Sequence, residues 1–234
     1  GWTKHSVWCV ERGNAGYVNN LVTRTEFYTM SAWYGLDEGE TILCTFANRG
    51  VGEEDFPDIP DPDIPGFTDF LPRTGFAPGR VTEIAEQPAS KLYQSSNLKL
   101  TIPKLGQSLE IVGVPETSEG WDVSWLGNSA GYLMGTTFPT WDGNSVITAH
   151  VWDAYNNPGP FAELKNLVYG DRFEIEAYGR TFIYEVRESE QIRAGDVARV
   201  VKQDAIGNMT TLLTCEAYDE AVDKYEFRRM VRAV

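Results

Sequence analysis

The chain has 234 residues, with 20 Lys and Arg against 34 Asp and Glu, a formal net charge of -14 and a pI near 4.6. At 42% hydrophobic it can bury a substantial core, while so acidic a surface repels phosphate backbones and anionic membranes, and no nucleic-acid partner is expected. No apolar run approaches the ~18 residues of a membrane helix, and the opening GWTKHSVWCV lacks the basic-then-apolar order of a signal peptide, so an export signal or anchor is expected outside this chain.

Residues 1–50 hold alternating segments such as Thr41 to Phe46 (TILCTF), preceded by a turn-rich stretch, and predict strands belonging to part of a β-sandwich. Two of the three cysteines, Cys9 and Cys44, fall here. An odd count in an exported protein suggests one bridge and one free thiol, and a Cys9–Cys44 bridge would close a loop worth about 3 to 4 kcal/mol. Three reduced thiols in a cytosolic protein are the alternative. None of the cysteines has the close paired spacing of a zinc site, and the acidic DIPDPDI lacks the Gly and terminal Glu of a calcium loop, so no metal is assigned.

Residues 51–95 read as an acidic, Pro-rich linker. Its first part, 51–70, has seven acids, no base and four prolines, which favours an extended semi-rigid spacer over a packed core. From residue 96 to 234, short alternating or apolar segments recur between Gly, Asn and Asp turns: LKLTIP, SLEIVGV, NSVITAH, RFEIEAY, TFIYEVR, TTLLTC and FRRMVRA. The pattern predicts an all-β, closed or nearly closed barrel. Phe161 to Leu167 places apolar residues at spacing three after Pro158-Gly159-Pro160, and predicts one short helix.

The chemistry-bearing residues lie in this last part. Cys215 ends the apolar TLLTC and precedes the polar EAYDE, which predicts a thiol emerging at a strand terminus beside solvent. His150 ends SVITAH, and Arg228 lies thirteen residues after the cysteine, where a return strand brings it beside the thiol. A thiol, an imidazole and a fixed cation are the parts needed for acyl transfer through a thioester. Taken singly, Cys215 reads as a small buried hydrophobe, His150 as a core histidine and Arg228 as a solvated strand charge. His5 has no partner in the pattern and is expected at the surface.

TLLTC followed by Arg228 resembles the signature of the sortases, bacterial cysteine transpeptidases that join surface proteins to cell-wall or pilus amines. LTIPKLGQSLEIVGV, GNSVITAHV and PGPFAELKNLVYGDRFEI are similar to the family's first strands, His-bearing strand, short helix and Gly-Asp turn, in the expected order over about residues 96–234. The resemblance implies a sortase-like barrel at the cell surface, with Cys215 as nucleophile, His150 as general acid and base, and Arg228 as oxyanion and substrate clamp, and no cofactor. Arg229 is a rival, but the spacing from Cys215 and the following MVRA favour Arg228, and adjacent strand residues face opposite ways. The stretch 189–209 is expected to form a substrate wall. At neutral pH independent thiol and imidazole groups form the ion pair under ~1% of the time, a deficit of roughly 3 kcal/mol. Arg228, with the backbone N–H of Glu216 as a second donor, is expected to recover part of it.

Leu71, Pro72, Arg73, Thr74 and Gly75 read LPRTG, matching the LPxTG pentapeptide that many sortases cleave between Thr and Gly. It is followed by FAPGRVTEIAEQPASK rather than by an apolar span and basic tail, so it is not an ordinary anchor signal. Three readings stand: a pseudosubstrate folded into the cleft, a self-substrate whose residues 1–74 become cargo for an amine, or a chance match in a proline linker. The expected partners are an LPxTG-bearing surface protein or the chain's own linker, with a cell-wall precursor or pilin lysine as acceptor amine. A noncatalytic surface adhesin or stalk module on the same barrel is the alternative; the order His150 before Cys215 disfavours a papain-like protease.

Overall fold

The structure, a computed structural model, describes residues 2–12, 18–22, 41–50, 71–117, 119–203 and 207–234. The chain divides into two compact units, Gly1–Ile64 and Pro65–Val234. In the first, β1 (Trp2–Arg12) is the centre of a three-stranded antiparallel sheet, flanked by β2 (Val18–Val22) and β3 (Thr41–Gly50). The β1–β3 register sets Cys9 directly opposite Cys44 in the backbone. The side chains of Cys9, Cys44 and His5, and the spacer 51–70, lie outside what the structure describes.

The second unit is a closed eight-stranded barrel. Its strands are β4 (Gln94–Ile102), β5 (Gln107–Val114), β8 (Ala130–Leu133), β9 (Gly143–Thr148), β10 (Arg172–Ala177), β11 (Arg180–Arg193), β12 (Asn208–Asp219) and β13 (Lys224–Ala233). A small ribbon of β6 (Glu116–Thr117) and β7 (Gly120–Trp121) intervenes. Around the barrel the order is β10-β11-β13-β12-β9-β8-β5-β4, and pairing of β4 with β10 completes the ring and removes the sheet edges. The β10–β11 hairpin turns through Tyr178 and Gly179, both at positive φ (53° and 70°), the twist that a two-residue hairpin loop requires. Strand alternation behaves as the sequence predicts. In β10, Phe173, Ile175 and Ala177 point inward, while the residues between them do not.

The helix differs in position. Among the described residues the α-helix is Val197–Val201 (α1), whereas 161–167 forms turns around a single 3-10 turn at Leu164–Asn166. The cause is the period: Phe161, Leu164 and Leu167 recur at three, the repeat of a 3-10 helix. Leu164 and Leu167 each donate to the carbonyl three residues back, at 3.1 Å, and all three side chains are fully buried.

Two apolar clusters pack on opposite faces of the barrel wall, the first inside and the second outside it, as the split of Ile147 from Val146, Leu212 from Leu213 and Val231 from Met230 requires. The first, around Leu100, Ile102, Phe161, Phe173, Ile175 and Leu212, is built from the barrel strands and the 161–167 turns. The second contains Val114, Trp121, Ile192, Val200, Leu213 and Met230, together with Leu71 from the segment that precedes the barrel.

Candidate active site

Strand order places the three expected side chains together on one face of the β9-β12-β13 wall, the face of the second cluster. β12 lies between β9, which it pairs in parallel, and β13, which it pairs antiparallel. Leu213 stands opposite Thr148, so extending that register by two residues brings Cys215 level with His150 on one side, while Arg228 is its direct partner on the other. All three are buried, with exposures of 1%, 1% and 3% for Cys215, His150 and Arg228. Arg229 faces away and pairs with Glu216 at 2.8 Å.

The backbone at His150 is fixed by the turn that follows. The His150 carbonyl accepts from Phe161 N–H (3.0 Å) and the Val151 carbonyl from Gly159 N–H (2.9 Å). A Cβ at Gly159 would lie 2.2 Å from the His150 oxygen, so glycine is required there.

The site is occupied by the chain's own Leu71–Gly75. Leu71 is buried in the second apolar cluster, and its N–H donates to the Ala194 carbonyl at 3.0 Å. The Arg228 guanidinium clamps this stretch, with Nε on the Pro72 carbonyl (3.2 Å) and Nη2 on that of Leu71 (3.5 Å). Arg73 points outward and is exposed. Thr74 has no exposed surface: its N–H donates to Cys215 Sγ at 3.2 Å, its Oγ1 accepts from Cys215 N–H at 2.6 Å, and its carbonyl accepts from Val151 N–H at 2.8 Å. A Cβ at Gly75 would come within 2.5 Å of Val151 Cγ1 and 3.0 Å of the Tyr225 ring. Beyond it the chain stays on the barrel. Phe76 lies 5.2 Å from the His150 ring, centroid to centroid. It donates to the Trp152 carbonyl (3.1 Å) and accepts from Tyr225 Oη (2.9 Å). Thr82 N–H then reaches the Ala154 carbonyl (2.8 Å).

Two expectations change here. The cysteine is not at a strand end: β12 runs on to Asp219 because β13 continues to pair with it, and the thiol is roofed by Thr74 rather than bathed in solvent. The group on the Thr74 carbonyl is Val151 N–H, a donor that nothing in the sequence signals, because a backbone amide carries no residue signature. Tyr225 was equally invisible, and its role depends on β13 returning alongside β12. The Pro-Gly-Pro run, by contrast, was visible and marks the turn that holds His150.

Burial pushes the Cys215 thiol above its ordinary range, opposed first by the Arg228 charge and then by the hydrogen bonds from Thr74. Burial likewise lowers His150, opposed by the nearby backbone groups of Thr74 and Val123 and by Asp153. None of those groups meets hydrogen-bond geometry, so both ring nitrogens are buried without a partner. Arg228 is lowered by burial but held up by Cys215. The resting pair is therefore a neutral thiol and a neutral imidazole, with a cation beside the sulfur. Such a set can bind an extended peptide through Arg228, pass a proton through His150 and form a bond from sulfur to a carbonyl carbon. Among the described residues no group of three or more His, Cys, Asp or Glu is arranged to hold a metal ion.

Residues 100–234 match the family model described as Sortase domain, more than half of the chain. Among solved structures, sortase C-1 from Actinomyces oris is 26% identical with a TM-score of 0.48, covering 58% of this chain and 71% of that one. Sortase A from Corynebacterium diphtheriae is 26% identical (TM-score 0.49, 61% of this chain and 60% of that one). A lid mutant of the latter is 27% identical, with a TM-score of 0.50 over 62% of this chain and 72% of that one. No curated protein sequence matches the chain.

Proposed function

Because the chain belongs to the sortase family, we propose that its barrel is a cysteine transpeptidase. It cleaves an LPxTG-like segment between Thr and Gly through a thioester on Cys215, and passes the acyl group to an amine of the cell-wall precursor or pilin-lysine kind, or to water. The supporting observation is the seat of Leu71–Gly75: an apolar pocket takes Leu71, Arg228 grips the two carbonyls at Leu71 and Pro72, and Thr74 lies against Cys215 Sγ. In this role Arg228 is first a clamp on the peptide backbone, and its charge favours the thiolate once the proton has passed to His150. Desolvation, to which the bound Thr74 contributes, holds that proton on sulfur at rest, opposed first by the Arg228 charge. The natural substrates on this reading are LPxTG-bearing surface proteins, and the place of action is the cell surface.

Incubation with an LPRTG-containing peptide and a panel of amines tests the proposal, using the full chain and its Leu71→Ala variant to loosen the resident segment. Thioester and amide product masses are expected with Cys215 present and none with Cys215→Ala. If Cys215→Ala leaves every measurable activity of the chain unchanged, the barrel is a scaffold, as in an adhesin or stalk module.

A further inference from the structure

We propose that the Thr74–Gly75 bond is itself a substrate of Cys215, so that the chain cuts itself and hands everything N-terminal to Gly75 to an amine. This inference rests on the transpeptidase reading above and specifies the first substrate of that site. A segment serving only to block the cleft would need bulk, not a particular pair of residues at the sulfur. Here the Thr74 side chain is matched by two bonds, accepting from Cys215 N–H and donating to Thr214 Oγ1 at 3.4 Å. Gly75 sits where any Cβ would strike Val151 or Tyr225. The His150 imidazole, level with Cys215 by the β9–β12 register, is buried with both nitrogens unpartnered, the group to take a proton from sulfur and return it to a leaving amine. Upstream, Gly1–Ile64 is compact by itself, so severing Thr74 from Gly75 breaks no contact within that unit.

The resting pose keeps the scissile carbonyl within reach of the sulfur but turned away from it, on Val151 N–H. With Thr74 N at 3.2 Å from the sulfur, ordinary bond geometry puts the Thr74 carbonyl carbon no more than about 5.7 Å from it. Attack requires the carbonyl to turn off Val151 N–H and toward the sulfur. The Cys215 proton passes to His150, sulfur bonds to the Thr74 carbonyl carbon, the bond to Gly75 nitrogen breaks, and the imidazolium proton goes to that nitrogen. An external primary amine then displaces sulfur, forming a new amide at Thr74, and its proton returns through His150 to the thiolate. One amide replaces another, and no oxidant or reductant is needed.

The downstream anchors favour resealing of the cut bond. After cleavage the Gly75 amine is still held by Phe76 on Trp152 and Tyr225, by Gly79 N–H on Asn156 (2.7 Å) and by Arg80 on Asp223 (2.6 Å). It therefore re-attacks the thioester at high effective concentration, and only a competing amine makes the cut permanent. Departure of the N-terminal product takes Leu71 out of its pocket and leaves a barrel open to a second peptide.

The test uses the purified full chain, exposed separately to hydroxylamine and to triglycine and followed by intact mass, beside Cys215→Ala. Two strap-release variants, Leu71→Asp and Gly75→Ala, receive an added LPRTG peptide. The expected result is a fragment beginning at Gly75 and an N-terminal product carrying hydroxamate or triglycine on Thr74, absent in Cys215→Ala. As an intramolecular step, its rate changes less than about twofold on roughly tenfold dilution. A wild-type chain uncut at Thr74 with either amine, while a release variant transfers the added peptide, overturns the inference and leaves the transpeptidase standing. Cutting that slows in proportion to dilution overturns the self-directed step in favour of action between copies. Absence of both reactions overturns the two proposals together.

Discussion

The two apolar clusters of the barrel are built differently. The first draws its members from the barrel's own strands and the 161–167 turns, and it is complete without help. The second, beneath Cys215 and Arg228, includes Leu71, a side chain delivered by a strap that belongs to no barrel strand. The inner face of the barrel wall is thus packed by the barrel's own sequence, and the outer face is finished by a peptide. On the proposed transpeptidase reading, a site for extended peptides is left incomplete by its own strands, and Leu71 supplies the missing apolar side chain.

That contrast can be broken at several points. The largest effect is expected from Cys215→Ala, which removes the bond-forming atom and should lower transfer by about 10⁴-fold or more, read as loss of thioester and product masses, with little change in unfolding. In the first cluster, Phe161→Ala should cost about 3 to 5 kcal/mol in denaturant unfolding. Its activity per folded molecule should stay near wild type. Arg228→Gln should lower transfer by roughly 10²-fold, because a buried clamp on two carbonyls is lost, while Arg229→Ala on the opposite face changes it by less than about twofold. Leu71→Ala should cost roughly 2 kcal/mol, the low end for a buried leucine, and should also speed processing of an added peptide. If it destabilises as much as Phe161→Ala without freeing the site, the two clusters are equivalent and the contrast fails.

The smallest effect concerns pH. His150 is lowered on folding, so below its ordinary value near 6.5 the unfolded chain binds the extra proton and stability falls as pH drops. Cys215 is raised, so above its ordinary value near 9.0 the unfolded chain loses its proton first and stability falls as pH rises. Urea midpoints should therefore decline on both sides of a neutral plateau. The acid-side decline should weaken in His150→Gln and the alkaline-side decline in Cys215→Ala.

The barrel was legible because alternation in segments such as RFEIEA maps directly onto an inward and an outward face. The cluster of His150, Cys215 and Arg228 was legible through the resemblance carried by TLLTC and its neighbours. The register shows why it works: parallel β9 and antiparallel β13 flank the same point of β12. The helix was misplaced because a spacing of three does not separate 3-10 from α geometry over seven residues. The docking of Leu71–Gly75 was left open among a pseudosubstrate, a self-substrate and a chance match, since prolines and acids upstream describe a linker equally well. The pocket that receives Leu71 is assembled from residues as distant as Val114 and Met230. The Val151 amide left no trace at all in the pattern of side chains.

The bond from Thr74 to Cys215 spans 141 positions of sequence, and the partner of that cysteine lies on the strand after it. During synthesis the strap emerges long before either β12 or β13 exists to receive it. Whatever the sulfur does to its neighbours, it does nothing until the ring has closed around it. Topology thus acts as a timer, and the proposed chemistry has no site until folding is finished.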